Sequence, residues 1–224
     1  MTLEPLYADN HLLALAKPAG LPTVPDESGD ESLLDLAKEW VRREKDKTGE
    51  VYLGVVHRLD RPVSGVVLFA RTSKAASRLS EQFRERRACK LYWGVSQACP
   101  AEPRGVVEQF LVKDEARNRV RVAGEREPDA QRAITEWSVA GSEGGRVHLD
   151  LAPRTGRPHQ LRVAAASLGA PLLGDLKYGA ERRLPDQSIA LHAVSLEIEH
   201  PTTKAKLALR CDPPAREWWA WRLR

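Results

Sequence analysis

Cysteine is scarce in this chain of 224 residues, and methionine occurs once. The three cysteines, Cys89, Cys99 and Cys211, are an odd number at wide spacing. That pattern excludes a closed set of intrachain disulfides and offers no C-x-x-C pair for zinc, so a reduced cytoplasm is the expected compartment. No apolar run approaches the roughly 20 residues that a membrane-spanning helix needs. The start carries Glu4 and Asp9 instead of a basic segment followed by an apolar one, so no signal peptide is expected. There is no repeat, low-complexity tract or Ser/Gly-rich linker. A P-loop, a dinucleotide-binding glycine fingerprint and a metal-ligand cluster are also missing from the sequence, and nothing in it calls for a cofactor or a metal.

What is present suits one globular domain over residues 1–224. With 42% apolar and 29% charged residues, the chain can bury a core and does not have the composition of a disordered one. The net charge is only +4, yet the basic residues gather in three places. Arg84, Arg86, Arg87 and Lys90 form one cluster, Arg117, Arg119 and Arg121 a second, and Arg154, Arg157 and Arg162 a third. Such clusters can neutralise phosphates and give salt-dependent binding. Charge runs are also common on solvated faces, so charge by itself decides nothing.

The periodicity predicts a strand at Leu12–Ala16 and then the turn-rich segment Lys17-Pro18-Ala19-Gly20-Leu21-Pro22. A helix is predicted from Leu33 to Arg43, opened by Ser32 and Asp35 as a capping box. The charged stretch Arg42–Glu50 reads as an exposed connection. Val66–Ala70 is a continuous apolar run of strand length, as in a strand buried on both faces. Ser73 is expected to cap a helix running to Arg86, with Ala76, Leu79 and Phe83 inward. Lys90–Val95 alternates, with Leu91, Trp93 and Val95 facing one way. Further strands are expected at Val107–Val112, Arg119–Val122, Ala133–Val139 and Val147–Leu151, the last two joined as a hairpin through Gly141–Gly145. Pro158–Leu168 reads as a helix stopped by Gly169, and the last strands as Ile189–Ile198 and Lys206–Leu209. Trp218, Trp219 and Trp221 could stack on bases, but anchoring a terminal helix is the commoner use. Strands outnumber helices and follow one another directly, which argues an α+β fold with a mixed, mainly antiparallel sheet.

Three segments carry more polar chemistry than packing explains. They are His57-Arg58-Leu59-Asp60-Arg61-Pro62-Val63-Ser64-Gly65, then Lys90-Leu91-Tyr92, then Arg154-Thr155-Gly156-Arg157-Pro158-His159-Gln160-Leu161-Arg162 with Gly174-Asp175 and Tyr178-Gly179 behind it. Polar residues on a loop pinned between regular elements are a common setting for catalytic groups.

HRLDRPVSG resembles the H-R-L-D-x-x-T-S-G signature of RluA-type RNA pseudouridine synthases. RTGRPHQLR and GAPLLGDLKYG resemble that family's later blocks, and Tyr92 in KLYWGV sits where the family has its active-site tyrosine. YADNHLLALAKPAGL and LHAVSLEIEHP match as well, so the likeness runs from Leu6 to Leu209. It implies isomerisation of uridine to pseudouridine in structured ribosomal or transfer RNA, without a cofactor, on the family's fold with a basic central cleft. It also implies roles: Asp60 as the catalytic carboxylate, attacking C1′ or stabilising positive charge there. Arg162 would pair with it and hold it ionised and oriented. Tyr92 would lie against the uracil and handle the C5 proton. Arg58 would fill the space left by the flipped base, His57 would support the loop, Leu191 would pack near the base, and Arg157 and His159 would contact substrate.

Two positions depart from the family pattern. Val63 stands where a threonine is usual, and Ala164 where a histidine is usual. The chain opens at the catalytic segment, leaving no room for the S4 RNA-binding domain of many relatives, and a monomer is the default. Two rival readings exist. A serine hydrolase using Ser64, His57 and Asp60 lacks the G-x-S-x-G elbow and would draw its whole triad from one short loop. A catalytically silent RNA-binding protein would use the basic clusters equally well but has no need of Asp60, Tyr92 and Arg162 together.

Overall fold

A computed structural model of the chain describes residues 4–46 and 49–224. The predicted connection at Arg42–Glu50 is part helix, and its residues 47–48 lie outside the described residues. The chain forms two compact units, one from the residues up to Cys89 together with Ala193–Asp212, the other from Lys90–His192 and Pro213–Arg224.

The first unit contains β1 (Pro5–Ala8), β2 (Leu12–Lys17), α1 (Leu33–Glu44), β3 (Gly54–Val55), β4 (Ser64–Ala70) and α2 (Ser73–Arg84). To these are added most of a later strand (Leu191–Glu199) and the strand Lys206–Arg210, numbered β10 and β11 below. The strand order is β1-β2-β4-β10, with β3 on β4 and β11 on β10. β2 and β4 pair antiparallel, Leu13 opposite Phe69 and Ala14 opposite Leu68. All seven residues of β4 are buried, so the uninterrupted apolar run is what a strand covered on both faces requires. One face joins Leu12, Ala14, Val66 and Leu68 to Ala75 and Leu79 of α2 and to Leu196 and Ile198. Truncating a residue such as Leu68 there would cost about 2–5 kcal/mol.

The capping box of α1 forms as expected, Ser32 and Asp35 each bonding the other's backbone. The cap of α2 is Thr72, not Ser73, because Thr72 keeps extended backbone while its hydroxyl accepts from the Ala75 N–H. Its inward face is Ala75, Leu79 and Gln82. Gln82 is buried because its amide bonds both the carbonyl and the N–H of Glu199, at 2.8 and 2.9 Å.

The second unit contains β5 (Cys89–Ser96, all but its first residue), β6 (Arg104–Asp114), β7 (Arg119–Ala123), β8 (Gln131–Glu143), β9 (Arg146–Pro153) and α3 (Gln160–Ser167). It ends with a 3-10 helix at Glu217–Leu223. The order is β5-β9-β8-β6-β7, and β5–β9, β9–β8, β8–β6 and β6–β7 are all antiparallel. The hairpin between β8 and β9 is tighter than expected: Gly144 and Gly145 alone make the turn, both at positive φ, as a two-residue hairpin loop of this hand demands. In β5 the expected alternation ends at Trp93, since Trp93 through Ser96 are all buried. The helix α3 starts at Gln160, two residues later than expected, because His159 takes a left-handed conformation with φ 50°. Trp218 and Trp219 are buried, Trp221 stacks on His148 with ring centres 4.7 Å apart, and Arg222 lies over Trp93. The terminal tryptophans are anchors of the unit.

Candidate active site

In the first unit, Asp60 lies on the connection between β3 and β4, half-buried, with exposed Arg58 and buried Leu59 before it. The backbone on both sides of Asp60 is held. Thr23 donates its hydroxyl to the Leu59 carbonyl at 2.8 Å and accepts from the Leu59 N–H at 3.1 Å. The Arg61 carbonyl accepts from the Gly20 N–H at 2.8 Å and from Lys17 Nζ at 3.1 Å. The Val63 N–H returns to the Asp60 carbonyl at 3.0 Å, closing a turn that begins at Asp60. Lys17 is fully buried and also donates to the carbonyls of Pro18 and Leu21. Burial drives its pKa down to about 7, the Asp60 carboxylate opposing that fall and Arg61 adding to it.

One of the loop's two arginines is spent on structure. Arg61 bonds the Gly20 carbonyl and Ser28 and pairs with Asp30, tying the loop to the turn-rich segment ahead of α1. His57 accepts at Nε2 from the Leu68 N–H at 2.9 Å and stacks on Phe83, so in its neutral form the proton sits on Nδ1. Gly65 is obligatory: its φ is 124°, and an added Cβ would meet the Ala193 carbonyl oxygen at 2.3 Å. Val63 is buried, so an apolar side chain at this position fits its surroundings.

In the second unit, the turn from Arg154 to His159 is organised by Gln160. Its side-chain oxygen accepts from the Thr155 hydroxyl and the Arg157 N–H, and its amide nitrogen donates to the Ile134 carbonyl and the Thr135 hydroxyl. Every hydrogen-bonding position of the buried amide is used, which locks the turn onto β8. Arg162, on the first turn of α3, is buried and gives Nε and Nη2 to the two oxygens of Asp175, both at 2.7 Å. Tyr178 lies beneath this guanidinium, 4.9 Å from ring centre to Cζ. Its hydroxyl accepts from the Val120 N–H and bonds His159 Nδ1 at 2.7 Å. Donation from Tyr178 to Nδ1 leaves the histidine proton on Nε2.

Asp175 and Tyr178 thus position two of the expected site residues, although the sequence pattern assigned them no role. Their signal was present in GDLKYG: a lone acid buried behind a glycine turn needs a cationic partner. Gly174 serves that turn, with φ 83°.

Tyr92 is half-buried on β5 opposite Leu151, and Leu191 is buried at the start of β10. Arg157 donates from Nε to the Arg132 carbonyl. A cavity of about 580 Å³ is lined by Arg117, Arg119, Arg121, Val163 and Tyr178 among others. Two of these arginines are matched by acids, Arg117 with Asp114 and Arg121 with Glu127. Of the third basic cluster, Arg154 forks onto Glu136 at 2.9 and 2.8 Å. The clusters are therefore less positive than the sequence suggests. Among the described residues no group of three or more His, Cys, Asp or Glu side chains could hold a metal ion, and no helix is long and apolar enough to cross a membrane.

Comparison with known proteins bears on these two sets of residues. The family model for RNA pseudouridylate synthases matches residues 11–167, a span that includes Asp60, Tyr92 and Arg162. The dual-specificity RNA pseudouridine synthase RluA of Escherichia coli is 35% identical over 201 residues, which cover 88% of this chain and 86% of RluA. An uncharacterized RNA pseudouridine synthase of Zymomonas mobilis is 35% identical over 202 residues, 86% of each chain. Among solved structures, human RNA pseudouridylate synthase domain containing 4 superposes with a TM-score of 0.77 at 27% identity, covering 94% of this chain and 88% of its own. The α+β fold is that of the pseudouridine synthases, and the chain is an isomerase of that class, converting uridine to pseudouridine in RNA. Within the class it belongs to the RluA-type family.

Proposed function

We propose that Asp60 is the catalytic carboxylate of this synthase, and that its substrates are structured ribosomal or transfer RNAs in the cytoplasm. The reaction breaks the N1–C1′ bond of a uridine, forms a C5–C1′ bond, and moves a proton from C5 to N1 in net terms. An ionised carboxylate can attack C1′ or stabilise the positive charge that develops there. Tyr92 is assigned to the uracil face and the C5 proton. Arg162, oriented by Asp175, is assigned as the cationic partner of the catalytic carboxylate. Arg58, exposed beside Asp60, is suited to take the place of the flipped base, and Arg157, His159 and Leu191 to hold the nucleotide. His57 is given the bracing role that its bond to Leu68 supports. Residues 1–224 then act as one catalytic domain, as a monomer.

The observation that carries the assignment is the double clamp on the Asp60 backbone, Thr23 on Leu59 and Lys17 with Gly20 on Arg61. A silent RNA-binding protein gains nothing from holding one half-buried carboxylate this firmly. To test it, RNA from cells lacking the protein is treated with a pseudouridine-specific carbodiimide, mapped by primer extension, and compared after rescue with wild type or Asp60→Asn. The wild type is expected to restore a stop that the variant does not, with turnover reduced on the order of a thousandfold or more. Equal rescue by both would remove Asp60 from the chemistry and favour the silent reading.

A further inference from the structure

Lys90 and Tyr92 are two residues apart on β5, so their side chains leave the strand on the same face. The Lys90 ammonium reaches the Thr155 carbonyl at 3.4 Å, a long hydrogen bond and a weak one. Burial lowers the pKa of Lys90, and no neighbouring acid offsets that fall. The arginines of the 154–162 segment are closed differently. Arg154 forks onto Glu136, and Arg162 onto Asp175. Above the ammonium the chain turns through Gly156, where an added Cβ would meet Lys90 Nζ at 3.8 Å and nothing else within 4 Å. Gly156 itself therefore presents no side chain to the lysine.

A desolvated cation with one weak neutral acceptor is costly unless something anionic completes it. A point-charge ammonium on a flexible stem suits a phosphate oxygen, whereas a neutral base carbonyl would not offset its desolvation. We propose that Lys90 is a substrate-positioning residue that binds a backbone phosphate of the RNA next to the uridine held against Tyr92, with the open turn at Gly156 admitting the strand. This rests on the placement of the uracil at Tyr92 proposed above.

The test uses the whole protein and an RNA hairpin carrying the mapped uridine, tritiated at C5, so that tritium release reads turnover. Lys90→Gln is expected to raise KM about tenfold with kcat within about twofold of wild type. It should also lower the slope of log affinity against log salt by about one, the mark of a lost phosphate contact. Lys90→Arg should recover most of the affinity. In the wild type, a methylphosphonate at one of the phosphates flanking the uridine should raise KM by a similar factor, and in Lys90→Gln it should add little further. The wild-type arm of that measurement does not depend on the stability of any variant. An unchanged KM and salt slope in Lys90→Gln, a fall confined to kcat, or no sensitivity to any flanking methylphosphonate would overturn the proposal. Tyr92→Phe is assayed in parallel. Retained tritium release there removes Tyr92 from the proton step, while the Lys90 salt slope and methylphosphonate cycle still report on the phosphate contact.

Discussion

The loop that carries Asp60 and the turn that leads to Arg162 both hold polar groups away from water, by opposite means. The first uses neutral acceptors: three carbonyls converge on the buried ammonium of Lys17, and a threonine hydroxyl serves both sides of one peptide. The second uses a charge pair, Arg162 with Asp175, and an amide whose every valence is filled. A cation set among carbonyls keeps its position without neutralising the carboxylate beside it. A cation forked onto a carboxylate has its plane fixed, which matters where one edge must face a substrate or a second acid. The contrast also separates two lysines, Lys17 fully buried and Lys90 half-buried. Lys17 is satisfied by the protein, and Lys90, with its single long bond, is not.

The charge pair is the place where the comparison can be broken most severely. Asp175→Asn keeps the shape and removes the charge of the carboxylate onto which the Arg162 guanidinium forks, both side chains being almost wholly excluded from solvent. Breaking a pair of this kind costs about 3–5 kcal/mol. For a chain of this length the thermal midpoint should fall by roughly 10 °C, measured by calorimetry or circular dichroism. A fall below about 2 °C would mean that the Arg162–Asp175 pair is not what holds the turn.

Lys17 offers a smaller effect with a pH signature. Lys17→Met leaves the carbonyls of Pro18, Leu21 and Arg61 without their donor, at about 1–3 kcal/mol near neutral pH. The folded-state pKa of about 7 lies below the ordinary value of 10.5, burial being the main cause, with Asp60 and Arg61 the charged groups that also act on it. Between those two values the unfolded chain binds the proton and the folded chain does not, so the lysine's contribution to stability rises as pH rises through that window and is lowest below it. Wild-type stability should therefore gain on the variant from pH 7 to 10.5, by no more than about 1.4 kcal/mol per pH unit. A constant difference in denaturant midpoint across that range would show that Lys17 is not desolvated as the structure has it.

How far each region was legible in the sequence follows from the same contrast. The Asp60 loop stood out because its polar residues are contiguous and run into an apolar strand. Lys17 and Thr23 did not stand out, because their bonds go to carbonyls, which any sequence supplies. The Arg162 turn was visible as a motif, but its partner Asp175 lies thirteen positions away, and only the fold shows that the two meet. Strand lengths were underestimated for a related reason. β8 extends to Gln131 and Glu143, whose polar side chains carry no apolar pattern, because its ends are held by pairing with β6 and β9. The start of α3 was misplaced because the left-handed backbone of His159 is not a conformation that Pro158 announces.

The finest division concerns exposed ion pairs, one from each unit. Arg61 pairs with Asp30 beside the loop that carries Asp60, and Arg132 with Glu108 between β8 and β6. Both are well exposed, and pairs of that kind are screened by solvent and contribute little to stability. Arg61→Gln and Arg132→Gln should each move the thermal midpoint by no more than about 2 °C. They should differ in turnover. The Arg61 guanidinium ties the residue after Asp60 to Gly20 and Ser28, so its loss loosens the carboxylate by a few tenths of an ångström and should lower kcat by roughly three- to tenfold with KM unchanged. Arg132 holds only the rim of its hairpin, and its replacement should leave kcat within about twofold. Equal turnover in the two variants would show that the clamp on Asp60 is complete without Arg61, and would leave Thr23 and Lys17 to hold the loop.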